Sequence, residues 1–393
     1  MTFEHYVQSG TKQLRCGYTT GTCAALAAQG AATFLLTGSA PSSVSVRTPK
    51  GWTVEVLPEF CDERGCGIRK DAGDDPDVTD GMLVVATVTK GVPSGDLVLI
   101  DGGAGVGRVT KLGLDQPVGN AAINRVPRAM IRAAVLEVCE ELEYDPATEG
   151  ALQVLISIPG GAEKARKTFN PKLGVEGGLS VLGTSGIVEP MSEQALKDTI
   201  AVELRQAYEL QRAAGVERPA VLLTPGNYGR DFLEGKGWSA LGVPVVKISN
   251  YVGDALDAAV SIGYREVLLA GHIGKLVKVA GNIMNTHSAV ADCRLELLAV
   301  HGAACGAPET LVRDILEAAT TDAALELLTE AGLREPTMAR IGASVQKNLE
   351  ARVEKAAGEA GPPVIGAVIF SNVFGLLAVT PPAETLLQRW KEV

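Results

Sequence analysis

No stretch of this chain approaches the roughly 18 consecutive apolar residues that read as a membrane span; the longest greasy runs, ALQVLISI and PAVLLT, have strand length. The opening MTFEHYVQSGTKQLRCG holds no apolar core of signal-peptide length, so no targeting segment is expected there. Aromatic residues are only 4% of the chain, which leaves few platforms for stacking nucleic-acid bases. Positive charge is also short: the formal net charge is −10, the opposite of what a nucleic-acid or anionic-membrane binder shows. The seven cysteines include no CxxC pair, and Cys61 and Cys66 form a single C-x4-C without a second ligand pair. They read as free thiols of a cytoplasmic protein rather than a disulfide frame or a zinc site. Neither a G-x-G-x-x-G nor a G-x-x-x-x-G-K-[ST] is present; DGGAGVG, from Asp101 to Gly107, fails the first pattern at Arg108 and Thr110. Ordinary dinucleotide and P-loop chemistry therefore lose support.

What is present suits a soluble globular protein. At 393 residues the chain is long for one core, and 46% hydrophobic residues supply ample surface to bury. The expected fold is α/β and α+β in two domains. Residues 1–150 read as an α+β domain: a capped alanine-rich helix from YTTGTC to about Leu36, a hairpin around Pro49-Lys50-Gly51, a strand MLVVATVTKG paired with DLVLIDGG, and a helix INRVPRAMIRAAVLEVCEEL. From residue 151 the rhythm changes to apolar runs alternating with helices, the signature of a buried parallel sheet, and residues 151–305 read as a Rossmann-like domain. Residues 306–393 add two amphipathic helices and a closing hairpin, with return to either sheet left open.

In open sheets of this kind, ligands bind beyond the carboxyl ends of the strands. That rule puts IPGG, GTSG, TPGN, ISN and AGHIGK on one rim. Gly183, Thr184, Ser185 and Gly186 then form either a wall of the crevice or an ordinary βα loop. In GHIGKLVKVAGNIMNTHS, Lys275 and Lys278 share one helix face near a helix N-terminus, where cations oppose the macrodipole and suggest an anionic ligand. His272 and His287 stand evenly between packed and functional roles, and His287 is expected to open a helix THSAVADCRLELLAVHG. The acidic stretch DAGDDPDVTD reads first as a turn with solvated charge and second as a cation-facing loop.

Six strings in order, LRCGYTTGTCAALAA, DAGDDPDVTDG, GVGRVTKLGL, AINRVPR, KTFNPKLGVEGGLSVLGTSGIVEPMS and GHIGKLVKVAGNIMNTHSAVADCRLE, resemble one family. It is the cobalt-precorrin-5B C1-methyltransferases of anaerobic cobalamin biosynthesis, the CbiD family, and the resemblance spans about Leu14 to Glu296. The resemblance implies S-adenosylmethionine as donor, a cobalt tetrapyrrole as acceptor, and methylation at ring carbon 1 to give cobalt-precorrin-6A. Cobalt enters only as part of the substrate, and no protein-bound metal is implied. An acceptor with many acetate and propionate arms calls for local positive charge. Lys275, Lys278 and Arg128 are assigned to it, with Thr19 and Thr20 beside them and Arg125 and Lys111 as further candidates. Gly183–Gly186 and the carboxylates Asp74 and Asp75 are assigned to the sulfonium donor. His272, His287 and Asp292 are the catalytic candidates, for a proton shift that an enamine-like ring carbon needs little help to make. The family pattern has His where this chain has Asp80, and Gly where it has Asn282. A nucleotide-dependent oxidoreductase and a non-catalytic tetrapyrrole carrier are the competing functions. A small-molecule substrate, cytoplasmic location, no nucleic acid and no membrane complete the expectation; a homodimer and transient contacts with neighbouring pathway enzymes stay open.

Overall fold

The computed structural model describes residues 3–392 apart from 10, 11, 94, 169 and 191. The chain divides into two compact units, Met1–Glu193 and Gln194–Val393, each mixing helices and sheets.

In the first unit helix α1 (Thr20–Thr37) is capped at Thr19, whose hydroxyl accepts the Thr22 N–H at 3.2 Å, and ends at Gly38 with φ 71°. Every residue from Thr20 to Ala28 is buried. Small side chains make that possible, because alanine-rich turns let neighbours approach from all sides. Strands β1 (Phe60–Asp62), β2 (Gly65–Arg69), β3 (Leu83–Lys90), β4 (Val98–Gly102) and β5 (Leu152–Ser157) form one sheet in the order β1-β2-β3-β5-β4. Val84, Ala86, Val88, Leu152, Val154 and Ile156 turn inward from it and share one core with α1 and helix α2 (Arg125–Glu141).

Several expectations change here. ALQVLIS does not open the second unit; as β5 it pairs antiparallel with β3 and parallel with β4, separating two strands expected to be neighbours. Its burial alternates, with Gln153 and Leu155 exposed, so this apolar run covers one sheet face and lacks the two-sided burial of a parallel strand. The boundary accordingly falls at Glu193 instead of residue 150. LSVLGTSG forms isolated bridges, Leu179 to Val106 and Val181 to Ile123, and stays in the first unit. Cys61 and Cys66 are not free: they face each other in the β1–β2 hairpin, with Cα atoms 4.1 Å apart, and form a disulfide. Cross-strand register brings them together, which the C-x4-C spacing alone did not reveal.

The second unit begins with helix α3 (Glu193–Ala213), followed by β6 (Ala220–Thr224), α4 (Asn227–Gly235), β7 (Val245–Lys247), α5 (Val252–Ile262), β8 (Glu266–His272) and α6 (Ile273–Ala280). Helices α7 (Arg294–Ala303), α8 (Glu309–Glu317), α9 (Thr321–Glu330) and α10 (Arg334–Ala357) precede β9 (Val364–Ser371), β10 (Gly375–Val379) and α11 (Pro381–Lys391). The sheet order is β7-β6-β8-β9-β10, parallel except for β10. The C-terminal hairpin thus joins this unit through β9, which pairs with β8 from Glu266 to His272, and three helices rather than two separate Gly306 from it. β6 and β8 are buried along nearly their whole length, which is why their sequences are continuously apolar. Chain connections leave β6 toward β7 and β8 toward β9, so the two connections diverge, the arrangement in which parallel sheets usually leave a crevice beyond the strand ends.

Asn282 has φ 62°, in the left-handed region that glycine and asparagine tolerate best.

Candidate functional site

The second unit's crevice gathers the residues at the end of β8. His272 is the last strand residue and the cap of α6, its Nδ1 accepting the Gly274 N–H at 3.1 Å. That bond assigns the ring proton of the neutral imidazole to Nε2. Burial holds its pKa below the usual 6.5, with Asp322 pulling weakly the other way. The ring stands edge-on to Phe370, 5.8 Å between centroids.

The two lysines on α6 have different fates. Lys278 is only 2% exposed, and its ammonium donates to the carbonyl oxygens of Thr286 at 3.2 Å and Ala291 at 2.8 Å, with Asp292 3.9 Å away. A helix through residues 286–293 would have engaged the Ala291 carbonyl internally; the segment is instead an irregular loop, and α7 starts at Arg294. His287 therefore lies exposed in that loop, its Nδ1 accepting the Ala289 N–H at 3.1 Å. Asp292 forms a two-pronged pair with Arg294, at 2.7 and 2.9 Å. Lys275 is half-buried nearer the diverging strand ends. Its ammonium donates to the Asn250 side-chain oxygen, and burial, then Lys278 and Lys247, lower its pKa. A Cβ built on Gly226, the residue before α4, would lie 4.0 Å from the Lys275 Cε, so the loops after β6, β7 and β8 converge on this ammonium.

Beside the same strand end is a cavity of about 140 Å³ lined by Asp292, Arg294, Glu296, Thr320 and Thr321 among others. Sequence reasoning assigned Asp292 to the site but not Arg294, Glu296 or the two threonines. The last pair sits far downstream, and only the Thr-Thr-Asp start of α9 marked it as a helix cap.

The remaining sequence candidates lie in the first unit. Gly183 and Gly186, with φ 135° and 78°, bring the GTSG loop onto the start of α1. A Cβ on Gly183 would lie 2.3 Å from the Thr19 hydroxyl. Thr20 donates to the Leu182 carbonyl at 3.3 Å and accepts its N–H at 3.0 Å, while Thr22 donates to Gly186 at 2.5 Å. Within the loop, Ser185 donates its hydroxyl to Ile187 at 3.0 Å, and Thr184 lies beside it. The acidic loop is tied down by residues of its own unit. Asp71 pairs with Arg15 at 2.6 and 2.8 Å, which holds its carboxyl below the usual range. Asp77 pairs with buried Lys70. Asp74 accepts the Arg15 N–H at 2.7 Å and Asp80 that of Ala72 at 2.9 Å, with Asp75 half-buried between them in sequence. Arg128 spends its guanidinium on the carbonyls of Ile123 and Ile100, both 2.8 Å, and of Ala121 at 3.4 Å. His272, His287, Asp292, Lys275 and Lys278 are thus brought into one unit. Thr19, Thr20, Asp74, Asp75, Arg128 and the GTSG loop fall in the other.

Residues 7–190 match the CbiD family. A cobalt-precorrin-5B C(1)-methyltransferase of Alkaliphilus metalliredigens is 43% identical over 98% of this chain and 97% of its own. The chain belongs to the CbiD family. Its similarity to CbiD proteins also extends past Glu296, where the matching strings stopped, because residues 285–381 match the CbiD C-terminal domain. The enzyme of the same name from Ruminiclostridium cellulolyticum is 45% identical over 84% of each chain. A crystal structure titled cobalamin biosynthesis protein (cbiD), from Archaeoglobus fulgidus, covers 70% of this chain and 83% of its own at 27% identity, with a TM-score of 0.39.

Proposed function

We propose that this chain methylates ring carbon 1 of cobalt-precorrin-5B to give cobalt-precorrin-6A, with S-adenosylmethionine as donor. The observation that carries this reading is the near end-to-end similarity to proteins named for that activity, at 43% identity in one and 42% over 96% of both chains in another. The second unit's sheet is taken as Rossmann-like, supported by its four consecutive parallel strands and the divergence of β6 and β8.

The acceptor is a polycarboxylate, and Lys275 at the crevice is the cation best placed for one of its acid arms. Lys278 is a loop clamp in this reading, since both hydrogen-bonded carbonyls are the chain's own. His272 serves as a neutral donor through Nε2–H, because its Nδ1 is committed to Gly274. Methyl transfer from a sulfonium needs alignment above all, so rigid loops around the crevice matter more than a strong base. The enzyme is taken to act in the cytoplasm; among the described residues no helix is long and apolar enough to cross a membrane. A homodimer and contacts with neighbouring pathway enzymes remain part of the proposal.

The test is single-turnover incubation of the purified protein with cobalt-precorrin-5B and donor labelled in its methyl group. Label in the tetrapyrrole is the expected result. Tight tetrapyrrole binding with no transfer would favour the carrier instead, and a requirement for a nicotinamide nucleotide would favour the oxidoreductase.

A further inference from the structure

We infer that the cavity between the start of α7 and the start of α9 binds a zwitterionic α-amino-acid group, the kind carried at the methionyl end of a sulfonium donor. This rests on the donor named above and specifies which residues would hold one end of it.

The first observation is Thr321. It lines the cavity, is 5% exposed, and among the described residues its hydroxyl has no hydrogen-bond partner. Its neighbour Thr320 differs, accepting the Ala323 N–H at 3.1 Å as the helix cap. The residue is otherwise buried and its hydroxyl keeps access to solvent, so the cavity is the side from which a ligand oxygen can reach it.

The second observation is the charge on the walls. Arg294 engages Asp292 through Nε and Nη2, which leaves Nη1 outside that pair. Glu296, in the first turn of α7, has no ion-pair partner among the described residues. The ten-residue α9 adds the positive end of its dipole. Its own acidic first-turn residue, Asp322, accepts the Ser371 hydroxyl at 2.7 Å. A carboxylate therefore finds a guanidinium, a hydroxyl and helix amides, while an ammonium finds Asp292 and Glu296. A simple dianion would be repelled by those two carboxylates, and a simple cation would leave the Arg294 Nη1, the Thr321 hydroxyl and the helix amides unused. The volume of about 140 Å³ holds roughly five waters, the scale of an amino-acid head group rather than a nucleoside.

Position supplies the third observation. A Cβ built on Gly274 would lie 3.4 Å from the His272 Nδ1 and 3.7 Å from the Thr321 hydroxyl, so Thr321 stands beside the end of β8. The amino-acid group would then be anchored next to the crevice, with the rest of the donor extending along the rim. The acidic loop of the first unit is less suited to this task, because Asp74 already accepts a backbone N–H.

Calorimetric titration with two probes tests this directly: S-adenosylhomocysteine, and 5′-methylthioadenosine, which keeps the nucleoside and thioether but lacks the amino-acid end. Wild-type protein should bind the first at least about ten-fold more tightly. Thr321→Val and Glu296→Gln should each weaken S-adenosylhomocysteine about ten-fold and leave 5′-methylthioadenosine unchanged. Equal affinity of wild-type protein for both probes, or wild-type affinity for S-adenosylhomocysteine in both variants, overturns the inference while the donor stands. Failure of both probes to bind, with or without tetrapyrrole, overturns the donor and the inference together.

Discussion

The imidazole of His272 accepts the backbone N–H of Gly274 at 3.1 Å, so the side chain that ends β8 also caps α6. The same atom cannot hold the cap and take up a proton. Burial keeps the folded group harder to protonate than the unfolded one, whose ordinary value is 6.5. Unfolding therefore takes up a proton as pH falls below 6.5, and stability is lost until the pH has passed the folded value. His301 is shifted downward by burial too and contributes with the same sign. In His272→Asn, asparagine can keep a cap without titrating, so thermal melts should show a shallower acid decline than wild type. His272→Ala should lose about 1 kcal/mol at neutral pH. Parallel acid declines in wild type and His272→Asn would remove this histidine from the pH dependence.

The two lysines of α6 should separate cleanly. Lys278→Met strips two carbonyls of their ammonium in a buried setting and should destabilise the second unit by about 2–4 kcal/mol. Lys275→Met should cost only about 1 kcal/mol, but should weaken tetrapyrrole binding about ten-fold and reduce its salt dependence. Denaturant melts and tetrapyrrole titrations of both variants make the comparison. Wild-type tetrapyrrole affinity in Lys275→Met would take that lysine out of the acceptor site.

Gly183 should not tolerate a side chain. Its φ of 135° and the 2.3 Å between a built Cβ and the Thr19 hydroxyl both oppose alanine, at a combined cost of about 3 kcal/mol or more. Placing Gly183→Ala on a Thr19→Gly background removes the collision and leaves the backbone strain. The second substitution should then cost visibly less than it does alone in a melting cycle.

Asn282 offers a gentler test of backbone geometry. At φ 62°, Asn282→Gly should be neutral or slightly stabilising, whereas Asn282→Ala should cost about 1 kcal/mol. Equal melting of the two variants would show that the side chain, rather than the left-handed backbone, decides this position.

The sequence alone was enough for α1, where Thr19 precedes an alanine-rich run, and for the parallel strands β6 and β8, whose apolar residues are continuous because both faces are covered. Ordered short strings were enough for the family. Spacing also placed Lys275 and Lys278 on one helix face, but it could not say what covers each. That depends on loops from residues 250, 286 and 291, which turn one ammonium into a buried clamp and leave the other at the crevice. The same limit hid β5, whose apolar run looks like a strand covered on both faces until one face is found open to solvent. It also hid the Cys61–Cys66 pair, set by cross-strand register. Thr321 joins a wall with Asp292 and Arg294 only because the start of α9 packs beside the start of α7. Local patterns report an element's own period; the neighbours that decide burial, charge and partners come from distant parts of the chain, and only tertiary packing selects them.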